Sequence, residues 1–278
     1  MPAESFVREL GPMPTEFENA LWFPFRDSDL IVTEENGEIS LLYGPSLDAW
    51  GLKPIRSHLI GRIGDAPCLA AEVKPLMMLP GLKAYNLMEL YGTLPEVEYG
   101  IAGFAFHIQH WERITRFCSS CGKDLQRKPD SWIKICLDCG LEEFPRITPG
   151  VTILIHDDGR IALIRQASWP QEMQGLIVGF VEPGESLEHC VARKAFEDLG
   201  VTVHDLHYFG SQPWPFPDQL MIGFLARYAD GTLTPNPATI ERAAWYPIGR
   251  LPKLLPEVSL ARTMIDRFVS GFSRKIPD

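Results

Sequence analysis

Residues 179–201, GFVEPGESLEHCVARKAFEDLGV, limit the fold more tightly than any other stretch of the chain. Glu182-Pro183-Gly184-Glu185 is a turn-forming loop punctuated by Pro and Gly. Ser186 then serves as an N-cap, and the pattern predicts one helix over Leu187–Leu199, ended at Gly200. Leu187, Val191 and Ala195, with Ala192, Phe196 and Leu199 beside them, give that helix a broad apolar stripe that asks to be buried. Positions 194, 197 and 198 are neighbours on another face by i, i+3 and i+4 spacing, and carry Lys194, Glu197 and Asp198. Taken alone, this is an amphipathic surface helix with a Lys–Asp pair. The full spacing from Gly179 to Val201 asks for more.

Composition bounds what can surround it. The 278 residues are 45% apolar, enough for two or more modules with their own cores. Lys and Arg number 26 against 36 Asp and Glu, a net charge of −10, which argues against a broad electrostatic surface for nucleic acid. The start MPAESFVREL lacks the basic end and apolar run of a signal peptide, and no stretch approaches the ~20 apolar residues of a membrane span. The expectation is a soluble cytoplasmic protein without membrane attachment.

Six cysteines fit that expectation. Cys118-Ser-Ser-Cys121-Gly122 and Cys136-Leu-Asp-Cys139-Gly140 are paired knuckles, and four thiolates so arranged suit tetrahedral Zn²⁺ in a closed, structural site. Cys68 and Cys190 stand apart and read as small buried hydrophobes rather than a disulfide.

Residues before about 95 hold short apolar runs, at 30–32, 39–43, 59–62 and 69–73, that predict strands of a small sheet, with connections at Asn36-Gly37, Gly44-Pro45 and Gly51. From Glu96 to about Thr115 the pattern turns helical, with Ile101, Phe104, Ala105, Ile108 and Trp111 on one side. Beyond the knuckles, strands are predicted at 151–156 and Arg160–Arg165, joined at Asp157-Asp158-Gly159, then at 176–180, 201–209, 219–228 and 243–246, with a turn at Asp230-Gly231 and a helix over 259–272. The domain boundaries expected are 1–112 for an N-terminal module, 113–145 for the ribbon and 146–278 for the last domain.

Two motifs now carry a resemblance. Residues 179–201 resemble the Nudix box, G-x5-E-x7-R-E-U-x-E-E-x-G-U with U aliphatic, a loop–helix–loop that holds divalent metal against a pyrophosphate. SQPWPFP at 211–217, followed by Asp218 and Gln219, resembles the motif SQPWPFPxS of the NADH pyrophosphatase branch of that family, and the four-cysteine ribbon precedes both. The resemblance implies a mixed α/β (α+β) fold, a Nudix α/β/α sandwich preceded by a zinc ribbon and a small N-terminal mixed module. It implies hydrolysis of NADH or NAD⁺ to nicotinamide mononucleotide and AMP, with NAD-capped RNA as a further substrate. Mg²⁺ or Mn²⁺, structural zinc and a homodimer come with it.

Position by position, the resemblance puts catalysis on Glu197, Asp198, Glu185 and Arg193, and a divalent ion on Glu197, Asp198 and Glu182. Arg193 would orient Glu185. Phe180 would line the base pocket, and Phe144 sits where an aromatic comes from the partner subunit. Gln212, Pro213, Trp214, Pro215, Phe216, Pro217, Asp218 and Gln219 would form the substrate loop, and the Ala261 backbone would touch the nucleotide. Four positions depart from the pattern. Lys194 replaces the Glu after the Arg, Asp198 shortens the last Glu, Thr239 replaces a Glu six residues ahead of Trp245, and Gln219 replaces a Ser. Glu241 is near Thr239 but out of register. Three of the four changes fall on metal ligands while the nucleotide motif survives. The alternative is therefore a catalytically impaired Nudix protein that binds NAD(H) or a related dinucleotide as sensor or regulator, and an RNA role through the ribbon ranks third.

Overall fold

The computed structural model describes residues 6–11, 17–74, 80–157 and 159–273. They form two units, one of residues up to Arg146 together with Pro215–Pro217, the other of Ile147–Trp214 and residues from Asp218 onward.

The first unit is built on strands β1 (Phe6–Val7), β2 (Ala20–Arg26), β3 (Asp29–Glu35), β4 (Glu38–Ser40), β5 (Leu42–Gly44), β6 (Pro54–Ile63), β7 (Ala66–Val73) and β8 (Leu82–Asn86). The path runs β1-β6-β7-β2-β3-β4, with β5 added on β2 and β8 on β3. Successive residues of β2 face opposite cores: Phe23 and Phe25 join the layer under helix α1 (Glu96–Ile114), while Ala20 and Trp22 join the other. A strand buried on both faces shows no alternation. The run LWFPF accordingly lacks alternation, and it carries a proline, which strand interiors seldom hold. Pro24 pairs with Ala71 of β7 on one side and, on the other, lies where the neighbour of β2 changes from β5 to β3, outside both of those registers. The strand expected at 39–43 is two short strands, β4 and β5. The Asn36-Gly37 connection is a tight hairpin with both residues at positive φ, 52° and 86°.

The ribbon belongs to the same unit, with strands β9 (Leu125–Arg127), β10 (Lys134–Cys136) and β11 (Glu142–Glu143) in the order β11-β10-β9. It meets the N-terminal sheet and α1 through polar side chains. Lys134 Nζ lies 2.8 Å from Glu112 Oε2, with both side chains buried, and donates to the carbonyls of Glu112 and Thr115 at 3.2 and 2.6 Å. The ammonium thus satisfies carbonyls that the end of α1 leaves open. Arg127 donates to His58 Nδ1 at 2.9 Å, and burial pushes the His58 imidazole down to about 4.

The second unit is an α/β/α sandwich. Its strands are β12 (Thr148–Asp157), β13 (Arg160–Arg165), β14 (Ile177–Phe180), β15 (Val201–Trp214), β16 (Gln219–Gly231) and β17 (Arg242–Pro247). The order is β15-β16-β12-β13-β17, with β14 on β12, and β12 runs parallel to β16. Helix α2 (Leu187–Leu199) packs over Val151, Ile153 and Ile155 of β12, and α3 (Leu260–Ser273) over Leu154 on the other face. Asp158 of the expected β12–β13 turn lies outside the described residues. The turn expected at Asp230-Gly231 is instead the end of β16, paired with Val201 and Thr202. β15 also runs past residue 209 to Trp214. It is the sheet's edge, so Pro213 costs no ladder bond on its open side.

Candidate active site and zinc centre

The loop and helix of residues 179–201 form as their residue types require. Ser186 Oγ accepts the His189 N–H at 3.2 Å, capping α2, and Gly200 ends it at φ 68° in the left-handed region. Arg193 reaches back to the loop and holds both carboxylate oxygens of Glu185, each at 2.7 Å. The same guanidinium donates to the Phe180 carbonyl at 3.1 Å and to Glu197 Oε2 at 3.1 Å, and stands 3.6 Å from Glu182 Oε1. Arg193, helped by the Glu182 N–H, holds the Glu185 carboxyl down at about 2. Such a fork fixes the loop against the helix. Glu185 is thereby fully engaged, whereas Glu182 and Glu197 keep oxygens open to solvent.

Three of the four departures from the family pattern meet one another. Lys194 Nζ lies 2.9 Å from Asp198 Oδ2 and 3.7 Å from Glu197 Oε2. Asp198 is only 4% exposed, and its other oxygen accepts the Thr239 hydroxyl at 3.2 Å. A turn held by Asn236, whose N–H donates to the Asp198 carbonyl at 2.9 Å, brings Thr239 there. Glu241 points to another partner, pairing with Arg165. The Lys194 ammonium occupies the inner part of this face. With an effective dielectric of about 20, an ammonium and a dication about 4 Å apart repel by about 8 kcal/mol. Asp198, expected as a ligand, instead has one oxygen on the ammonium and one on Thr239. Glu182 Oε1 and Glu197 Oε2 both face one nitrogen of Arg193, at 3.6 and 3.1 Å, so it is their other oxygens that are left for a hard cation.

The residues expected to hold the nucleotide divide. Phe180 sits opposite Gly150 in the β12–β14 pair with its side chain exposed, and Phe144 is exposed in the first unit. Gln212 supports the fold. Its amide donates to the Val258 carbonyl at 2.8 Å and accepts the Leu260 N–H at 2.6 Å, clamping the start of α3. Asp218 is buried and accepts the Thr148 hydroxyl at 3.0 Å. Pro213, Trp214 and Gln219 are strand residues, paired Pro213 to Leu220 and Trp214 to Gln219. Pro215–Pro217 group with the first unit, where Phe216 packs on the cluster that includes Phe106. A Cβ on Gly103 of α1 would meet the Pro215 ring at 3.2 Å. Ala261 is half-buried against the α3 core. The single loop expected over 212–219 is therefore two strand ends joined by an inserted tripeptide. Sequence reading placed Gly179 at the start of the motif but missed its packing role, since a Cβ there would meet the Lys194 stem at 2.4 Å. Its signal was the long side chain placed on the helix face that crosses a strand glycine.

The four ribbon cysteines come together as their spacing predicts. Their sulfurs lie within 4.8 Å of one another, Cys118 to Cys139 at 3.5 Å and Cys121 to Cys136 at 3.4 Å. A tetrahedron with Zn–S of about 2.3 Å has edges of about 3.8 Å, so the set fits zinc. Gly122 and Gly140 adopt φ of 73° and 75° and donate to the Cys118 and Cys136 carbonyls at 2.9 and 2.8 Å. The Cys121 N–H leads the bonds that draw the Cys118 thiol down to about 7, favouring the thiolate. Cys68 and Cys190 are buried free thiols, pushed up by burial to about 12 and about 11.

Comparison with known proteins follows this division. Residues 146–268 match the NUDIX domain, residues 19–111 the NADH pyrophosphatase-like rudimentary NUDIX domain, and residues 113–144 the NADH pyrophosphatase zinc ribbon domain. The NAD-capped RNA hydrolase NudC of Pseudomonas aeruginosa strain LESB58 is 34% identical over 218 residues, 78% of each chain. That of Deinococcus radiodurans is 32% identical over 252 residues, covering 89% of this chain and 87% of the relative. Among solved structures, a NUDIX hydrolase from Nitrosomonas europaea superposes with a TM-score of 0.50 at 20% identity, over 58% of this chain and 94% of that one, a likeness of fold. Family matches along nearly the whole chain, and relatives of this identity and coverage, establish that the protein belongs to the zinc-ribbon-containing NADH pyrophosphatase branch of the Nudix family.

Proposed function

We propose that the chain hydrolyses the pyrophosphate of NADH and NAD⁺, and of the NAD cap of RNA, to mononucleotide products. The observation that carries this reading is the Arg193 fork, which locks the Glu185 loop onto α2 while leaving Glu182 and Glu197 open beside it. Relatives named NAD-capped RNA hydrolase support the substrate class, since the cap contains the same pyrophosphate as NAD. In the reaction, a water oxygen joins one phosphorus as the bridging P–O bond breaks, leaving nicotinamide mononucleotide and AMP. Glu182 and Glu197 would hold a divalent cation, Mg²⁺ or Mn²⁺, whose chemistry is to neutralise phosphate charge and lower the pKa of bound water. Arg193 orients Glu185, Asp198 holds Lys194 in place, and the exposed Phe180 ring offers a flat face to a base.

The four-cysteine ribbon holds structural zinc, and thiols left free suit a reducing, cytoplasmic setting. No helix among the described residues is long and apolar enough to cross a membrane. A homodimer in which Phe144 serves the other subunit completes the reading, and light scattering checks it. The functional test is chromatography of NADH incubated with Mg²⁺ or Mn²⁺, with and without a chelator. Metal-dependent AMP is the expected product. NADH that binds but stays intact would displace hydrolysis in favour of the binding-only alternative.

A further inference from the structure

We propose that Lys194 is the resident cation of the inner face of α2, so that this face takes no divalent ion and its ammonium does part of the work of one. Three observations converge on it. The ammonium stands 2.9 Å from Asp198 Oδ2 and 3.7 Å from Glu197 Oε2. Asp198 is buried, and its remaining oxygen is engaged by Thr239, so each Asp198 oxygen already has a partner. The stem of Lys194 is seated rather than free: a Cβ on Gly179 would meet its Cγ, Cδ and Cε at 2.4, 2.6 and 2.8 Å. Glycine at 179 is the space the lysine occupies.

The charge balance gives the consequence. Arg193 and Lys194 face Glu182, Glu185, Glu197 and Asp198, two cations against four carboxylates. One divalent ion at Glu182 and Glu197 would neutralise that set, whereas a carboxylate at 194 would leave it needing more. An ammonium also carries more N–H donors than Asp198 takes up, which leaves donors for a phosphate oxygen. The inference rests on the proposed function only for the place of the outer ion and for the identity of the anion.

The test counts ions without substrate. Zinc-loaded protein is titrated with Mn²⁺ and free Mn²⁺ is read by electron paramagnetic resonance, for wild type, Lys194→Glu and Lys194→Met. Lys194→Met keeps the stem over Gly179 and removes the charge, so it serves should Lys194→Glu fail to fold. The wild type is expected to take about one exchangeable Mn²⁺ per chain and each folded variant about one more. Two or more exchangeable Mn²⁺ on the wild type would overturn the proposal, as would variants that gain none. A wild type that takes none, with variants that gain an ion, would uphold it and remove the Glu182–Glu197 ion from the proposed function instead.

Discussion

Glu185 and Glu197 are both carboxylates of the same loop–helix, and Arg193 gives them different work. Glu185 has both oxygens on the guanidinium and is held at about 2 rather than its ordinary 4.5. The folded chain therefore favours its ionised form. The stability this pair contributes is fully present above about pH 4.5 and is lost as the pH falls toward about 2. Glu185→Gln should flatten the pH dependence of the unfolding midpoint in that window; an unchanged slope would count against the fork. Glu197, half exposed and with an oxygen free, is the carboxylate on which turnover should depend. Glu197→Gln is expected to lower NADH hydrolysis by about 10²-fold or more, at unchanged circular dichroism. Near-normal turnover would remove Glu197 from the reaction. The neighbours of Lys194 were legible in sequence because helix spacing fixes them, and the Arg193–Glu185 pair because the resemblance to the Nudix box implies it. The Thr239–Asp198 bond was not, since it depends on how the loop at 232–241 folds back on the helix end.

At the scale of elements, the helices were the most legible parts. Ser186 and Gly200 bracket α2, and the expected bounds are the observed ones. The apolar periodicity of α1 similarly marked its length to within a residue. Strands with local exceptions were harder: β2 carries Pro24 between two cores, and the proline-rich end of β15 is tolerated because it is an edge. Least legible was the buried Lys134–Glu112 pair joining ribbon to α1, where a polar residue in a short strand gives no hint of burial. Leaving Glu112 buried without its partner should cost about 3–5 kcal/mol. Lys134→Met should show this loss in urea unfolding, and adding Glu112→Leu should recover part of it. Removing zinc with a strong chelator should likewise weaken the ribbon, read as loss of about one zinc per chain by mass spectrometry together with an earlier unfolding transition. A ribbon equally stable without metal would contradict the thiolate reading.

Across the chain, the zinc ribbon was legible through cysteine spacing and the α/β/α sandwich through the resemblance to the Nudix family, while the substrate segment divided in a way that spacing cannot show. Gln212 and Asp218, expected in the substrate loop, both bond within the second unit, and Pro215–Pro217 pack with the first. Motif residues can thus be structural supports of a site as well as contacts within it. Cleavage of the dinucleotide pyrophosphate by water would leave an isotopic mark on the products. NADH turned over in ¹⁸O-enriched water with Mn²⁺ tests this directly by mass spectrometry of the products. AMP and nicotinamide mononucleotide are expected, with a single ¹⁸O on the phosphate of one of them. Intact NADH, or release of nicotinamide with the pyrophosphate unbroken, would contradict it.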